Sequence, residues 1–217
     1  TTVSHVINDT RPVSADLRAR VEAAMAELGF QPNALARSLR RKRTHTLGMI
    51  VPDSANPFFA EVGRGIEDTS FASGYSVILC NSDGDPAREL LYMDLLVQKQ
   101  VDGVLLVPTG DQAELAAKLR TRNIPVVVID RDVPAAPIDR VHIDNVAGGY
   151  LATRHLLDLG HRRIGYIGGP AHLSPVPDRS AGYRHALQET GLPVDEQLVA
   201  AGNFRDVGGY NGAQALL

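Results

Sequence analysis

Aromatic, acidic and basic side chains follow several apolar segments of this sequence at short distances. Asp53 and Asn56 come after the segment 47–51, and Asp130 and Arg131 come directly after 126–129. Aromatic rings stack on the apolar faces of sugars and planar bases, while carboxylates and guanidinium groups bind hydroxyls. The residue types therefore predict a site for a polar, hydroxylated ligand, provided that these segments end close together.

The apolar segments have the composition of buried strands and alternate with amphipathic helices. The predicted strands are 47–51, 76–80, 103–107, 126–129, 140–143, 163–168 and 198–201. The predicted helices are roughly 58–73, 87–100, 112–122, 146–159, 179–190 and 207–217. This alternation indicates an α/β fold with a doubly wound parallel sheet. Such a sheet binds ligands beyond the carboxyl ends of its strands, where the polar residues lie.

The same residues form no arrangement that is typical of an enzyme. The stretch 165–170 has glycines after a predicted strand, but it lacks the spacing of a dinucleotide-binding turn and contains Pro170. The seven histidines show no metal-binding spacing, and no nucleophile-elbow motif occurs. Cys80 ends an apolar strand and fits a buried small hydrophobe. We therefore expect neither catalysis, nor a cofactor, nor a metal.

Charge is distributed unevenly along the 217 residues, of which 44% are hydrophobic and 22% charged. Residues 1–46 contain 8 Lys and Arg against 4 Asp and Glu, and the remainder contains 14 against 21. A basic segment on an acidic body is expected when one end of a chain binds a polyanion. No apolar run is long enough to span a membrane, no signal peptide opens the chain, and the single cysteine excludes a disulfide framework. We therefore predict a cytoplasmic location.

The basic segment contains three short helical patterns. In residues 1–8, Val3, Val6 and Ile7 share one face, and the opposite face carries polar side chains suited to base edges and phosphates. An ordinary amphipathic surface helix is the alternative. The second helix begins after Ser14 and ends at Gly29, and it supports the first.

The third pattern spans residues 33–40 and is followed by further basic residues. Asn33 can begin a helix whose Leu35 and Leu39 lie on one side. So short a helix is marginal in water, so we expect it to form only against a partner helix or DNA. A leucine on such a helix can wedge between base steps in the minor groove.

Seven ordered segments resemble the LacI/GalR (lac repressor) family of bacterial transcription regulators. They are TVSHVIN at 2–8, VEAAMAELGF at 21–30, PNALARSL at 32–39, LGMIVP at 47–52, NPFF at 56–59, QKQVDG at 98–103 and GHRRI at 160–164. The resemblance covers essentially the whole chain and is closest to the ribose and purine repressors. The family's first helix and its usual C-terminus are missing, so we expect a chain truncated at both ends.

The resemblance implies four regions. They are a partial helix-turn-helix domain at 1–32, a hinge helix and linker at 33–46, an effector-binding N-terminal subdomain at 47–145, and a partial C-terminal subdomain at 146–217. The last two correspond to the two lobes of a periplasmic-binding-protein-like fold, of which the second is incomplete. The implied DNA-binding residues are Thr1 and His5 at bases, Thr2, Ser4 and Asn8 at phosphates, and Asn33, Ala36, Arg37 and Leu39 on the hinge helix, where Leu39 intercalates.

The family's effector cleft is lined at matching positions by polar and aromatic residues. Those positions in this chain are Asn56, Phe58, Phe59, Asp130, Arg131, Arg179 and Phe204. Three alternatives remain at this point. Phe59 and Phe204 could belong to the core, Asp130 and Arg131 could form a surface ion pair, and Arg179 could simply lie in the first turn of a helix.

The function that the resemblance implies is that of a repressor whose operator affinity is controlled by a small molecule. The stretch 170–177 differs from the polar segment expected in the purine repressor, which favours a sugar such as a pentose. The resemblance also implies a homodimer on a near-palindromic operator, with dimer contacts through 58–73 and 87–100. The alternative is a stand-alone sugar-binding module without DNA binding, which would have no use for the basic residues at 37–43.

Overall fold

The chain forms two compact units, Thr1–Thr44 and His45–Leu217. The computed structural model describes residues 2–8, 11–30, 43–109, 115, 124–133 and 138–217. The predicted helix at 33–40 lies outside these residues. Of the predicted helix at 112–122, Leu115 is described, and it is buried.

The first unit contains helices α1 (Thr2–Asn8) and α2 (Ala15–Glu27), which contact each other. Val6 of α1 is buried, as expected for its apolar face. Helix α2 follows Ser14 as predicted, although the Ser14 side chain makes no capping hydrogen bond. Past its end, Gly29 adopts a φ of 57°, a left-handed conformation that glycine adopts without steric cost.

The second unit is built on a five-stranded parallel sheet. Its strands are β1 (Thr46–Val51), β2 (Ser76–Asn81), β3 (Gly103–Leu106), β4 (Val126–Ile129) and β5 (Asp139–Val141). They lie in the order β2-β1-β3-β4-β5, and each neighbouring pair is parallel. The chain therefore proceeds to opposite sides of β1, as in a doubly wound sheet, which confirms the predicted fold class.

The other elements of this unit are helices and a smaller sheet. The helices are α3 (Pro57–Ala72), α4 (Pro86–Gln98), α5 (Asn145–Asp158), α6 (Pro175–Glu189) and α7 (Asp206–Leu216), with a short 3-10 helix at Glu196–Leu198. Strands β6 (Tyr166–Ile167) and β7 (Val199–Ala200) pair in parallel as a second sheet. None of the helices in the described ranges is long and apolar enough to span a membrane.

Two hydrophobic clusters hold the large sheet between its helices. On one face, Ile50 of β1 packs with Met93 and Leu96 of α4. On the other face, Met49 of β1 packs with Phe59 of α3. Adjacent β1 side chains thus enter different clusters, because successive residues of a strand point to opposite faces. This burial on both faces explains the near-continuous apolar character of the strand sequences.

Several predicted boundaries differ from those of the structure. Helix α6 begins at Pro175 rather than at 179, because proline is compatible with the first turn of a helix, whose N–H groups need no internal partner. The strands predicted at 163–168 and 198–201 shorten to two residues each, because only Tyr166–Ile167 and Val199–Ala200 pair with each other.

Candidate functional site

A cavity of about 190 Å³ lies at the carboxyl ends of the large sheet's strands, within the second unit. Segments that follow β1, β2, β3 and β4 line one side, and segments that follow β6 and β7 line the other. The lining residues are Pro52, Asp53, Asn56, Phe59, Gly84, Thr109, Arg131, Pro170, His172, Leu173, Asn203, Phe204 and Arg205. We call this cavity the cleft. Its position is the one expected for a ligand site in a doubly wound sheet.

Asn56 and Phe59 reach the cleft from the start of α3. Asn56 caps the helix, since its Oδ1 accepts a hydrogen bond from the Phe58 backbone N–H at 3.0 Å. The rings of Phe58 and Phe59 meet edge to face with centroids 5.1 Å apart. Phe59 belongs to the core and also lines the cleft, so both alternatives for this residue hold. Phe58 packs beside that core and is not among the lining residues.

Asp130 and Arg131 are buried, so they are not a surface ion pair. Their exposed fractions are 5% and 6%, and the Arg131 Nε lies 3.9 Å from Asp130 Oδ2. Arg131 also donates from NH1 to the Pro108 carbonyl at 2.9 Å, and its guanidinium carbon lies 5.7 Å from the Phe59 ring centroid. Among the described residues, Asp130 Oδ1 and Arg131 Nε have no hydrogen-bond partner, and of these two residues Arg131 lines the cleft whereas Asp130 does not. A buried donor and a buried acceptor without partners can take up a ligand's polar groups.

Burial and neighbouring charges act in opposite directions on Asp130. Desolvation raises the pKa of its carboxyl group, whereas the positive charges of Arg131, Arg179 and His142 lower it. Burial likewise lowers the pKa of Arg131 from its ordinary value, and the charges of Asp130 and Glu89 raise it. An arginine keeps its proton in proteins, so the guanidinium stays positively charged in the cleft wall.

Phe204 forms part of the opposite wall, and Arg179 packs against its ring from outside the lining. Arg179, in the second turn of α6, donates from Nε to Asn145 Oδ1 at 2.7 Å. Its guanidinium carbon lies 5.9 Å from the Phe204 ring centroid. Phe204 is 38% exposed and lines the cleft, so it is not a core residue. Arg179 is not itself a lining residue, and it supports the ring that is.

Two polar contacts join the two sides of the cleft, and neither was predicted. Arg205 NH2 lies 2.6 Å from Asp83 Oδ1, and the Asp132 backbone N–H donates to Ser174 Oγ at 3.0 Å. Each contact links the segment after a strand of the large sheet to a segment near β6 or β7. Both lie between residues far apart in sequence, so no local pattern could reveal them.

Glu89 lies beneath the cleft and was also missed. It is only 1% exposed, and its Oε2 accepts a hydrogen bond from the Thr109 backbone N–H at 2.7 Å. Burial raises the pKa of Glu89 to about 7, against the lowering effects of Thr109 and of the Arg131 charge. Helical spacing offered a signal, because Glu89 lies on the buried face of α4 with Met93 and Leu96.

The residues predicted to contact DNA are partly described. In the first unit, Thr2 is exposed on α1, while Ser4 and His5 are half-buried. Asn8 ends α1, and nothing further is described of its side chain. Thr1, and Asn33, Ala36, Arg37 and Leu39 of the predicted hinge helix, lie outside the described residues.

Two family models match the chain. Residues 1–33 match bacterial regulatory proteins of the lacI family, and residues 44–217 match the periplasmic binding proteins and sugar binding domain of the LacI family. The chain belongs to the LacI family. This confirms the resemblance seen in the sequence. Across the described residues, no group of three or more His, Cys, Asp or Glu side chains is arranged to hold a metal ion.

LacI-family regulators are similar to this chain over most of its length. The ribose operon repressor of Escherichia coli (strain K12) is 42% identical over 217 residues, which are 100% of this chain and 66% of the repressor. The transcriptional repressor PurR of Photorhabdus laumondii is 39% identical and is covered to 64%. The solved complex of the transcriptional regulator CelR with cellobiose has a TM-score of 0.72 at 32% identity, covering 99% of this chain and 65% of that one. The chain thus spans about two thirds of these relatives' length.

Proposed function

We propose that this chain contains the DNA-binding and effector-binding regions of a transcriptional repressor, whose effector is a sugar such as a pentose. The observation that carries the proposal is the cleft of a LacI-family chain, whose lining residue Arg131 is buried beside Asp130. Among the residues that the structure describes, neither Arg131 Nε nor Asp130 Oδ1 has a hydrogen-bond partner. A sugar hydroxyl both donates and accepts hydrogen bonds, so one hydroxyl group can serve this acceptor and this donor.

Aromatic side chains on both walls support a sugar ligand. Phe59 and Phe204 contribute rings from opposite sides of the cleft, and such rings cover the apolar faces of a sugar ring. The names of two relatives agree with this class of ligand, since one is a ribose operon repressor and another was solved with cellobiose. The full proposed set is Asn56, Phe58, Phe59, Asp130, Arg131, Arg179 and Phe204, of which Phe58, Asp130 and Arg179 lie next to lining residues rather than in the lining.

The DNA contacts in this proposal come from two regions. The polar residues of α1 face bases and phosphates, and the segment 33–46, through Asn33, Ala36, Arg37 and Leu39, enters the minor groove. The regions keep the predicted limits, 1–32 for the DNA-binding domain and 47–145 and 146–217 for the two effector subdomains. The match of residues 1–33 to lacI-family regulatory proteins supports DNA binding.

Control of DNA binding follows from linkage between the two ligands. A sugar that binds one arrangement of the two lobes better than another changes operator affinity by that difference in binding free energy. We further propose that the repressor is a homodimer on a near-palindromic operator. Exposed apolar residues on α3 and α4, Phe71 at 82% and Leu91 at 69%, support dimer contacts through these helices.

Fluorescence anisotropy of a labelled palindromic operator candidate tests this function with the full-length protein. We expect salt-sensitive binding, because contacts to phosphates release counterions, and a change in operator affinity on addition of D-ribose. Phe204→Ala should weaken the response to D-ribose, whereas Tyr210→Ala, an aromatic-to-alanine change at an exposed position of α7 outside the cleft, should preserve it.

The possible failures separate the parts of the proposal. If DNA binds but D-ribose has no effect, the pentose assignment is wrong and the repressor function stands. If no operator binds at any salt concentration, the repressor function is wrong, and a sugar-binding module without DNA binding becomes the better interpretation.

A further inference from the structure

We propose that Gly169 is a positioning residue of the cleft, because the absence of a side chain at 169 allows the Phe204 ring to lie where it lines the cleft. This role rests on the function proposed above and adds one more residue to the same site. Gly169 does not line the cleft itself, so it acts through Phe204, which does.

The far end of the Phe204 ring packs directly on Gly169. A Cβ built on Gly169 would overlap three atoms of this ring, Cζ, Cε1 and Cε2. Gly169 is buried in the structure. A side chain at 169 would therefore compete with the ring for the same space.

The segments that follow β6 and β7 pack backbone against backbone beside this contact. The Gly168 backbone N–H donates to the Ala200 carbonyl at 2.9 Å, and a Cβ on Gly202 would overlap the Gly168 carbonyl. Two backbones held this closely cannot separate without losing that hydrogen bond, whereas a side chain can rotate. An alanine at 169 should therefore displace the Phe204 ring and leave the two segments in place.

The backbone of Phe204 indicates that neighbouring contacts impose its conformation. Its φ is 61°, in the left-handed region that a bulky residue rarely adopts. Such conformations persist where the surrounding structure imposes them, and they are concentrated at ligand sites. On either side of Phe204, Asn203 Oδ1 accepts from the Arg205 backbone N–H at 3.0 Å, and the Arg179 guanidinium carbon lies 5.9 Å from the ring centroid. In this conformation the ring lies on Gly169, whose missing side chain leaves room for it.

The position of the ring matters because Phe204 covers the ligand from this side of the cleft. In the proposed function, its ring contacts an apolar face of the sugar. A ring displaced by a side chain at 169 would present a different edge or face to the ligand, and aromatic contacts depend on that orientation. The expected consequence is a loss of ligand affinity rather than a loss of folding.

Calorimetric titration of the full-length protein with D-ribose tests this role. Gly169→Ala should weaken the affinity by roughly 2- to 12-fold, which corresponds to one well-oriented aromatic contact. Gly209→Ala is the same exchange on α7, where a Cβ would meet nothing within 4 Å, so this variant should retain the wild-type affinity. Wild-type affinity in Gly169→Ala overturns the proposal.

A second substitution distinguishes an effect through the ring from a general effect on the fold. Phe204→Leu removes Cζ, Cε1 and Cε2, the atoms that an alanine at 169 would overlap, and keeps an apolar side chain. In the Phe204→Leu background, Gly169→Ala should therefore change D-ribose affinity by less than about twofold. Equal losses of affinity in both backgrounds overturn the proposal. Should Gly169→Ala alone fail to fold, the double variant should fold, and a double variant that also fails overturns it.

A ligand-free measurement separates this role from the choice of sugar. If D-ribose does not bind even the wild-type protein, the pentose assignment is wrong, and NMR of protein with isotope-labelled phenylalanine rings still reports the position of the Phe204 ring. Its signals are those that disappear in Phe204→Leu. They should shift in Gly169→Ala and stay in place in Gly209→Ala. Unshifted signals in Gly169→Ala overturn the role of Gly169.

Discussion

Helices α5 and α6 cross so closely that one of two adjacent glycines cannot accept a side chain. A Cβ built on Gly149 would overlap the backbone carbonyl of Arg179, whereas a Cβ on Gly148 would meet nothing within 4 Å. The Arg179 carbonyl is part of the α6 backbone, so only a shift of the helix could relieve the overlap. Gly149→Ala and Gly148→Ala therefore form a matched pair on one helix.

The expected magnitudes follow from these two environments. Both substitutions replace glycine by alanine within a helix, which on its own stabilises a helix by roughly 0.5–1 kcal/mol. Gly148→Ala should show that gain. Gly149→Ala also carries the cost of overpacking, so it should be less stable than Gly148→Ala by about 1–3 kcal/mol, or roughly 2–12 °C in Tm.

Urea unfolding followed by circular dichroism measures the difference directly. A shift of α6 would also displace the Arg179 side chain, which bonds Asn145 and packs on Phe204. We therefore expect Gly149→Ala to weaken D-ribose binding and Gly148→Ala to leave it unchanged. Equal stability of the two variants would refute the argument that the helix crossing requires glycine at 149.

Three further outcomes are expected. The free energy of unfolding should fall by about 3 kcal/mol as the pH rises from about 4.5 to about 7, because burial raises the pKa of Glu89 from 4.5 to about 7, so that the folded state holds a proton that the unfolded chain has lost. Urea unfolding of the wild-type protein and of Glu89→Gln measures this change, and parallel pH profiles of the two proteins would contradict it. Tyr183→Phe removes the 2.9 Å bond from the Tyr183 hydroxyl group to the buried Ile164 carbonyl and should cost about 1–3 kcal/mol in the same assay, so an unchanged unfolding midpoint would argue against that bond. Asp83→Asn removes the negative charge of the exposed pair with Arg205, so it should change the free energy of unfolding by less than about 1 kcal/mol while altering D-ribose affinity. A large loss of stability would show that the pair supports the fold.

The strands and helices of the second unit were largely predictable from local pattern. The strand Val126–Ile129 was predicted at its observed limits, and α5 was predicted within one residue at each end. Both follow from periodicity and residue type, which neighbours in the sequence determine. Helix α6 was predicted to begin at 179, because the prolines before it resemble a loop when a chain is considered one segment at a time.

The candidate ligand residues were predictable as a group but not in their arrangement. Their place after successive strands, together with the family resemblance, indicated that Phe59, Arg131 and Phe204 share one site, and all three line the cleft. The sequence did not indicate that Arg131 is buried, or that Arg179 lies behind Phe204 rather than in the lining. Those features depend on how segments that are distant in the sequence pack against each other.

The sequence by itself therefore determined the family, the alternation of strands and helices, and the chemical types that meet at the strand ends, because each depends on short-range pattern. Only the tertiary structure decided which of those groups touch. The Glu89–Thr109 bond joins residues 20 apart and the Arg205–Asp83 pair joins residues 122 apart in sequence. Such contacts arise from sheet order and helix packing. The same topology removes Glu89 and Arg131 from water, and this burial is what shifts their pKa values.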